Sequence, residues 1–557
     1  SYVWDFLTKK LIQTPNDANE FSNESISASG KKRAISIKNE NIKIIDIDKK
    51  DTIYLANSEN EVCQDFSSDD KSFTSLSDDG ILKIWNVNSG RLLYSFSSID
   101  SADYLVLIPS GYYLGTKNAA KLLHYVTPDL KVITFEQLDI KYNRPDKVLQ
   151  AIGNADTALI KSYRRAYEKR IKKLGIDTTA FKEGYGLPVA DFANRDSIIP
   201  EKYIKLHITG KDTTYLIDRF NVWINEVPIY GVRGISLKSK NKHTLDTTIT
   251  VALSNSINII ETSITNFNGT ESYRMPLQIY YSPAQKAKEK LYFVGIGTDK
   301  FVEDKHNLHY SVKDIRDLAQ DLKKKYGDDM IIVDTLFDEK VSIASVAALK
   351  QKLQRTSIND KVILSFSGHG LLSDSLDYYL STYNVNFTKP EQGGLPYEEL
   401  ENLMDGIPAR KKLMMIDACN SGEVDKDENK NEILNDTIQK KDSNESYTGK
   451  GIRFKKGPSK LGMKNSFELM KILFVNVGRS TGSTIISAAG GLQSALEGGG
   501  RKNGIFTSAV LEYMDKNSSA TVTELKNYVN KRVPELTQGL QQPTSRAENK
   551  LMDWRVW

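Results

Sequence analysis

Two side chains in this sequence have the makings of a nucleophile and its base. His369 stands near the end of the run K-V-I-L-S-F-S-G-H-G, and Cys419 near the end of K-K-L-M-M-I-D-A-C-N-S-G-E. The thiolate, not the thiol, is the attacking species, and a neighbouring imidazole lowers the cysteine pKa enough to supply it. The chemistry expected of the pair is acyl transfer. His369 takes the Cys419 proton, the thiolate attacks a carbonyl carbon, and the imidazole then protonates the leaving amine. The glycines flanking His369 leave backbone N–H groups accessible, so Gly370 and Cys419 are the expected donors to the oxyanion. No third triad member is legible.

A nucleophile and its base must be carried on separate, rigid elements. Both runs are short, rich in Val, Ile, Leu and Met, and closed by Gly or Asn, as buried strands of a parallel sheet are. In open α/β sheets the chemistry sits just past the carboxyl ends of the strands, where both groups fall. The preceding segments fit. A strand at Leu291–Gly297 is followed by a helix near Ser311–Tyr326, a strand near Met330–Thr335 and a helix near Ile343–Gln354. This β-α-β-α-β order predicts a mostly parallel sheet with helices on both faces. Residues 422–467 are charged and poor in apolar periodicity, and read as a long mobile loop. Regular structure returns at Ser483–Ala489, followed by Glu497, Gly498–Gly500 and Gly504–Thr507. The Gly-rich run there lacks the Gly-Lys-Ser/Thr ending of a phosphate loop and reads as a turn.

S-G-H-G followed fifty positions later by D-A-C-N-S-G resembles the caspase and metacaspase clan of cysteine peptidases. Animal caspases have Gln-Ala-Cys; the Asp417-Ala418-Cys419 of this chain is the metacaspase-like variant. A third place is similar: L-H-Y-S-V-K-D, in which Ser311 and Asp314 match the small residue and the acid of the metacaspase first helix. The resemblance implies that Asp314, Ser367 and Asp417 line the pocket for the residue before the scissile bond. Electrostatics points the same way, because two carboxylates in a half-buried pocket repel unless a cation joins them. Arginine or lysine supplies that cation, and arginine can bond both acids in a planar fork. Cleavage after Arg or Lys is therefore expected. The basic residues of the loop, Lys440, Lys441, Lys450, Arg453, Lys455, Lys456 and Lys460, are candidate sites of self-cleavage or of cleavage by a partner. Many metacaspases need calcium. The matching region here, Leu380–Asn384 and Pro396–Glu399, has fewer Asp than the family pattern, so no cofactor is expected and calcium is not supported.

At 557 residues the chain is too long for one core. A net charge of +5 gives no argument for nucleic acid, and no apolar run approaches membrane-spanning length. No signal-peptide pattern opens the chain, and two cysteines, Cys63 and Cys419, exclude a disulfide framework. A reducing, cytoplasmic setting fits a working thiol. The first residue is Ser1 and not Met, which suggests a processed or truncated polypeptide.

Residues 1–129 contain an internal repeat with a period of about forty residues, read as two β-propeller blades and a fragment. The second copy resembles the WD-repeat family: Ser77-Asp78-Asp79-Gly80 as the turn, then Leu82-Lys83-Ile84-Trp85-Asn86. A third, incomplete unit runs from Tyr104 to Tyr125. Two blades cannot close a propeller, so they read as a platform for a regulatory protein partner or as a spacer. Residues 130–197 read as a helical linker, with a helix start at Asn143–Asp146 and a longer helix at Ala158–Leu174. Its run of Arg164, Arg165, Lys169, Arg170, Lys172 and Lys173 reads as a solvated face. Period-two runs across 198–282 suggest an antiparallel β-sandwich of immunoglobulin-like type, and 283–557 is the caspase-like domain. The whole resembles bacterial multidomain caspase-like proteins, often linked to defence or regulated cell death. Protein substrates are expected, with a zymogen form as one state of the enzyme. The competing reading is a catalytically silent scaffold whose blades bind another protein.

Overall fold

The structure is a computed structural model that describes residues 2–5, 10–13, 22–37, 40–56, 61–127, 130–184, 186–195, 201–283, 285, 288–373, 377–418, 437–439, 446–450, 481–489, 495–498, 500–547, 549 and 551–557. The chain forms two compact units, Ser1–Arg164 and Arg165–Trp557.

In the first unit a four-stranded antiparallel sheet (residues 22–26, 32–37, 43–46 and 52–54) is followed by a six-stranded one running from Glu61–Phe66 to Tyr113–Gly115. Lys32–Ile37 and Ser72–Ser77 begin forty residues apart, the period read from the sequence. The Trp85 indole donates to Ser75 Oγ (2.9 Å) across the second sheet. The segment from Tyr104 does not stand as a separate unit: Tyr104–Leu107 pairs with Leu92–Ser98 and widens the same sheet. A tight turn, in which Ile99 N–H donates to the Asp103 carbonyl, leaves the chain no room to go elsewhere, and Phe96 stacks on Tyr104.

The second unit opens with two antiparallel sheets that share one apolar core around Phe192, Ile208, Val222, Ile260, Ile264 and Ile279. Val189–Phe192 pairs with Tyr203–Lys211, so this sheet starts before residue 198. The longest strand among the described residues, Ser256–Asn266, escaped the sequence reading because Asn, Thr and Ser interrupt its apolar residues. The basic helix, Thr157–Leu174, is not simply solvated at its end. Lys169 pairs with Asp377 (2.6 Å) and Glu398 (3.2 Å), and Lys173 with buried Glu401 (2.5 Å), the last two acids standing on the helix Tyr397–Met404.

The site is positioned by a six-stranded sheet in the order Ile331–Phe337, Leu291–Gly297, Lys361–Ser367, Lys411–Asp417, Thr484–Ser487, Thr544–Ala547. Its first five strands are parallel and the last is antiparallel. Both central strands are buried at every position after the first, which explains their unbroken apolar runs. Helices Ser311–Tyr326, Ile505–Lys516 and Val522–Thr537 belong to the core of one face, and Ile343–Leu353 and Tyr397–Met404 to that of the other. The first of these buries Val312, Ile315, Leu318, Ala319 and Leu322, a stripe at helical spacing, and ends at Gly327 with φ +78°. Most of 422–467 lies outside the described residues. Within it, Thr437–Gln439 and Ser446–Gly449 are strands and not loop, the second pairing antiparallel with Leu496–Gly498. Backbone pairing to that edge, which needs no apolar alternation, accounts for the difference.

Candidate functional site

The parallel register sets Ser367 directly beside Asp417, at the carboxyl ends of neighbouring strands. Asp314, in the first turn of helix Ser311–Tyr326, reaches the same point: Ser367 Oγ donates to its Oδ2 at 2.9 Å. Asp314 is fully buried, Ser367 1% exposed and Asp417 2% exposed. The three residues expected to line one pocket therefore do come together. The N-terminus of helix Ile505–Lys516 caps the pair of acids. Gly504 N–H donates to Asp314 Oδ1 (2.9 Å), and Thr507 Oγ1 and N–H donate to Asp417 Oδ2 (2.7 and 3.3 Å). Helix N-termini favour negative charge in this way.

The pocket is occupied by the chain itself. Lys450 is fully buried, and its Nζ lies 2.8 Å from Asp314 Oδ2, 2.8 Å from Ser367 Oγ and 3.3 Å from Asp417 Oδ2. Its amide donates to the Ala495 carbonyl (2.8 Å), continuing the pairing of Ser446–Gly449 with Leu496–Gly498. Its carbonyl accepts from Gly370 N–H at 3.4 Å. Burial alone would push the ammonium down, but Asp314, Asp417 and Glu497 outweigh it and hold it above the ordinary lysine value. Burial raises Asp314, against the pull of Lys450 and with the push of Asp417. The remaining basic candidates of the loop, Lys440, Lys441, Arg453, Lys455, Lys456 and Lys460, lie outside the described residues.

His369 is 2% exposed between two rings, Phe301 and Phe387, with centroids at 5.3 and 5.4 Å. Its Nε2 lies 2.8 Å from the His306 carbonyl. A carbonyl only accepts, so Nε2 carries the proton and Nδ1 offers its lone pair. Nδ1 has no hydrogen-bond partner among the described residues. Burial, aided by the charge of Lys450, pushes His369 down to about 4, so the ring is neutral at neutral pH. Ser381 fixes its backbone from both sides: His369 N–H donates to Ser381 Oγ, and Ser381 N–H to the His369 carbonyl, each at 2.9 Å. Of the expected oxyanion donors, Gly370 N–H faces the Lys450 carbonyl, whereas Gly368 N–H is taken by the Asp417 carbonyl (3.2 Å). Cys419 lies outside the described residues; it follows Ala418, which is fully buried at the end of the strand Lys411–Asp417.

Several residues here had little or no signal in the sequence. Glu497, 1% exposed, accepts from His309 N–H (3.0 Å) with Oε1, and burial pushes it up to about 7. Asp299, which accepts from Ser311 N–H (2.6 Å), is likewise raised by burial to about 6. Gly504 packs so close that a methyl group there would strike Asp417 Oδ2, Lys450 Nζ and Asp314 Oδ2, all within 3.0 Å. His306, Phe301 and Phe387 hold the imidazole. None lies at a fixed spacing from either motif; an acid beside a Gly-rich turn was the one available hint, at Glu497.

Residues 294–551 match the family model described as Caspase domain. This part of the chain is similar to a caspase domain, which supports a cysteine peptidase acting on proteins. No curated protein matches the chain. Among solved structures, a structural-genomics protein from Geobacter sulfurreducens is 18% identical with a TM-score of 0.31, over 46% of this chain and 92% of the other. At that TM-score the likeness carries no further weight. No helix among the described residues is long and apolar enough to cross a membrane.

Proposed function

We propose that this protein is a cysteine endopeptidase that cleaves protein chains after arginine or lysine, with Cys419 as nucleophile and His369 as base. The observation that carries the reading is Lys450: a basic side chain seated between Asp314 and Asp417, with its carbonyl turned to Gly370 N–H. This supports reading Lys450 as standing where the residue before a scissile bond would. In the reaction, neutral His369 accepts the Cys419 proton at Nδ1 as sulfur attacks the substrate carbonyl carbon. The Gly370 and Cys419 N–H groups hold the oxyanion. The carbon–nitrogen bond breaks as His369 passes its proton to the leaving amine. Water, deprotonated by the same imidazole, then resolves the thioester to a carboxylate and free thiol. The His306 carbonyl keeps the ring in the tautomer this needs. An aspartate in the pocket would add a like charge to Asp314 and Asp417, which disfavours the specificity of animal caspases.

The sheets of residues 1–129 are proposed as a surface for a regulatory protein partner. The enzymatic reading is tested with short peptides bearing a fluorophore after Arg, Lys or Asp, with wild type beside Cys419→Ala. Release after Arg and Lys, abolished in the variant, is the expected result. Release after Asp alone would overturn the pocket assignment, and release unaffected by Cys419→Ala would overturn the nucleophile.

A further inference from the structure

His369 leads into a small sheet of its own. The strands Gly370–Leu372, Tyr378–Leu380 and Leu395–Pro396 pair antiparallel in that order. At the near end His369 and Ser381 exchange two hydrogen bonds, and Gly370 opens the first strand. At the far end Ser373 N–H donates to the Asp377 carbonyl (2.9 Å) and Asp377 N–H to Ser373 Oγ (3.1 Å). Strands of two and three residues are marginal by themselves. The order of His369 therefore depends on what holds the far end, about 13 Å away along the hairpin.

Part of that hold comes from outside residues 294–551, the segment that matches the caspase model. Lys169, on the helix Thr157–Leu174, places its Nζ 2.6 Å from Asp377 Oδ1 and 3.2 Å from Glu398 Oε1. Glu398 stands in the first turn of the helix Tyr397–Met404, which continues directly from the third strand. One ammonium thus joins the tip of the hairpin to the end of the strand beside it. Burial would lower that ammonium, but Glu398 and Asp377 outweigh it and keep it charged. The helix carrying Lys169 has a support of its own. Its closing carbonyls need partners, and cations are favoured there. Arg233 donates to those of Lys173 (2.9 Å) and Lys172 (3.4 Å), Arg219 to those of Leu174 and Gly175, and Lys238 to that of Gly175 (3.3 Å).

We infer that Lys169 is a positioning residue for His369, stapling the far end of the small sheet so that the imidazole and the Gly370 N–H stay aligned. The inference rests on the peptidase reading. Exposed ion pairs add little to global stability, yet a cheap local opening can set the fraction of molecules whose base is in place. Asp314, Ser367 and Asp417 stand on other elements, so an open staple should slow the chemical step and spare substrate binding.

The test uses the full chain with Lys169→Glu, which sets a third acid against Asp377 and Glu398. Hydrogen exchange of the 369–381 amides, read by mass spectrometry, should speed about fivefold; kcat for an arginine peptide should fall by about the same factor, with KM unchanged. Adding Asp377→Lys recreates an opposite pair and should restore both. Lys352→Met, which removes an ion pair with Asp334 at the far edge of the main sheet, should move neither. Unchanged exchange in Lys169→Glu, or no rescue by Asp377→Lys, would overturn the staple. Faster exchange with unchanged kcat would overturn the positioning role. Failure of the peptidase reading is a separate result: no turnover by the unmodified chain, while exchange of 369–381 still responds to Lys169→Glu.

Discussion

Gly504 matters for the side chain it lacks. Alanine there places a methyl group against both acids and the cation they hold, so Gly504→Ala should lower kcat/KM for arginine peptides at least a hundredfold, with the loss mainly in KM. Glu497 sets a pH dependence. At about 7 its carboxyl is half protonated near neutrality, and only the ionised form attracts a guanidinium. The kcat/KM for arginine peptides should therefore fall as pH drops through 7, well above the value near 4 of His369, and Glu497→Gln should remove that limb. The sign for stability is opposite. A carboxyl raised from 4.5 to about 7 by burial binds its proton more tightly in the folded state. Its contribution is complete below pH 4.5 and lost as pH rises to 7. Glu497→Gln should thus stabilise the protein at pH 8, by up to about 3 kcal/mol in denaturant titrations, and leave it unchanged at pH 4.

At the scale of elements, Glu401 joins three of them. From the helix Tyr397–Met404 its carboxylate meets Lys173 of the basic helix (2.5 Å) and Arg546 of the edge strand Thr544–Ala547 (2.6 Å), and it is 2% exposed. Removing it takes a buried carboxylate from both cations, so Glu401→Ala should cost about 3 kcal/mol by chemical denaturation. Glu398→Ala, at a pair a third exposed, should cost under about 1 kcal/mol. The elements themselves were largely legible. Leu291–Gly297 and Ser311–Tyr326 fall where the sequence placed them, because unbroken apolar runs and a helical stripe depend on burial by any neighbour. Asp314, Ser367 and Asp417 were legible through motifs. Glu401, Glu497 and the docking of Lys450 were not, since each depends on which segments meet in space, and local pattern does not carry that. Lys450 was one basic residue among several in a stretch whose composition read as loop. What distinguishes it is the strand before it, which forms by pairing with Leu496–Gly498.

For the whole molecule, the position of Lys450 in the chain has a consequence. On the proposed peptidase reading, the bond after it is the first that would be met, and a cut there divides the part of the chain that matches the caspase model. Beyond the cut lie the strands Thr484–Ser487 and Thr544–Ala547 and the helices Ile505–Lys516 and Val522–Thr537. Their Ile486, Phe506, Val510, Leu525 and Val529 are buried in one core with Phe293, Ile363 and Leu413 from before it. The two pieces should therefore separate on a denaturing gel yet co-elute in gel filtration; loss of the smaller piece from the native peak would contradict the shared core. The tethered lysine also bears on pharmacology. A free compound aimed at this pocket competes with a side chain held beside it at an effective concentration on the order of millimolar. Inhibitors with basic head groups will score as weak and slow against the intact chain, and as tighter and faster against Lys450→Ala. A screen on the unmodified protein would rank compounds by how well they displace a lysine, and true site affinity would surface only once that lysine is gone.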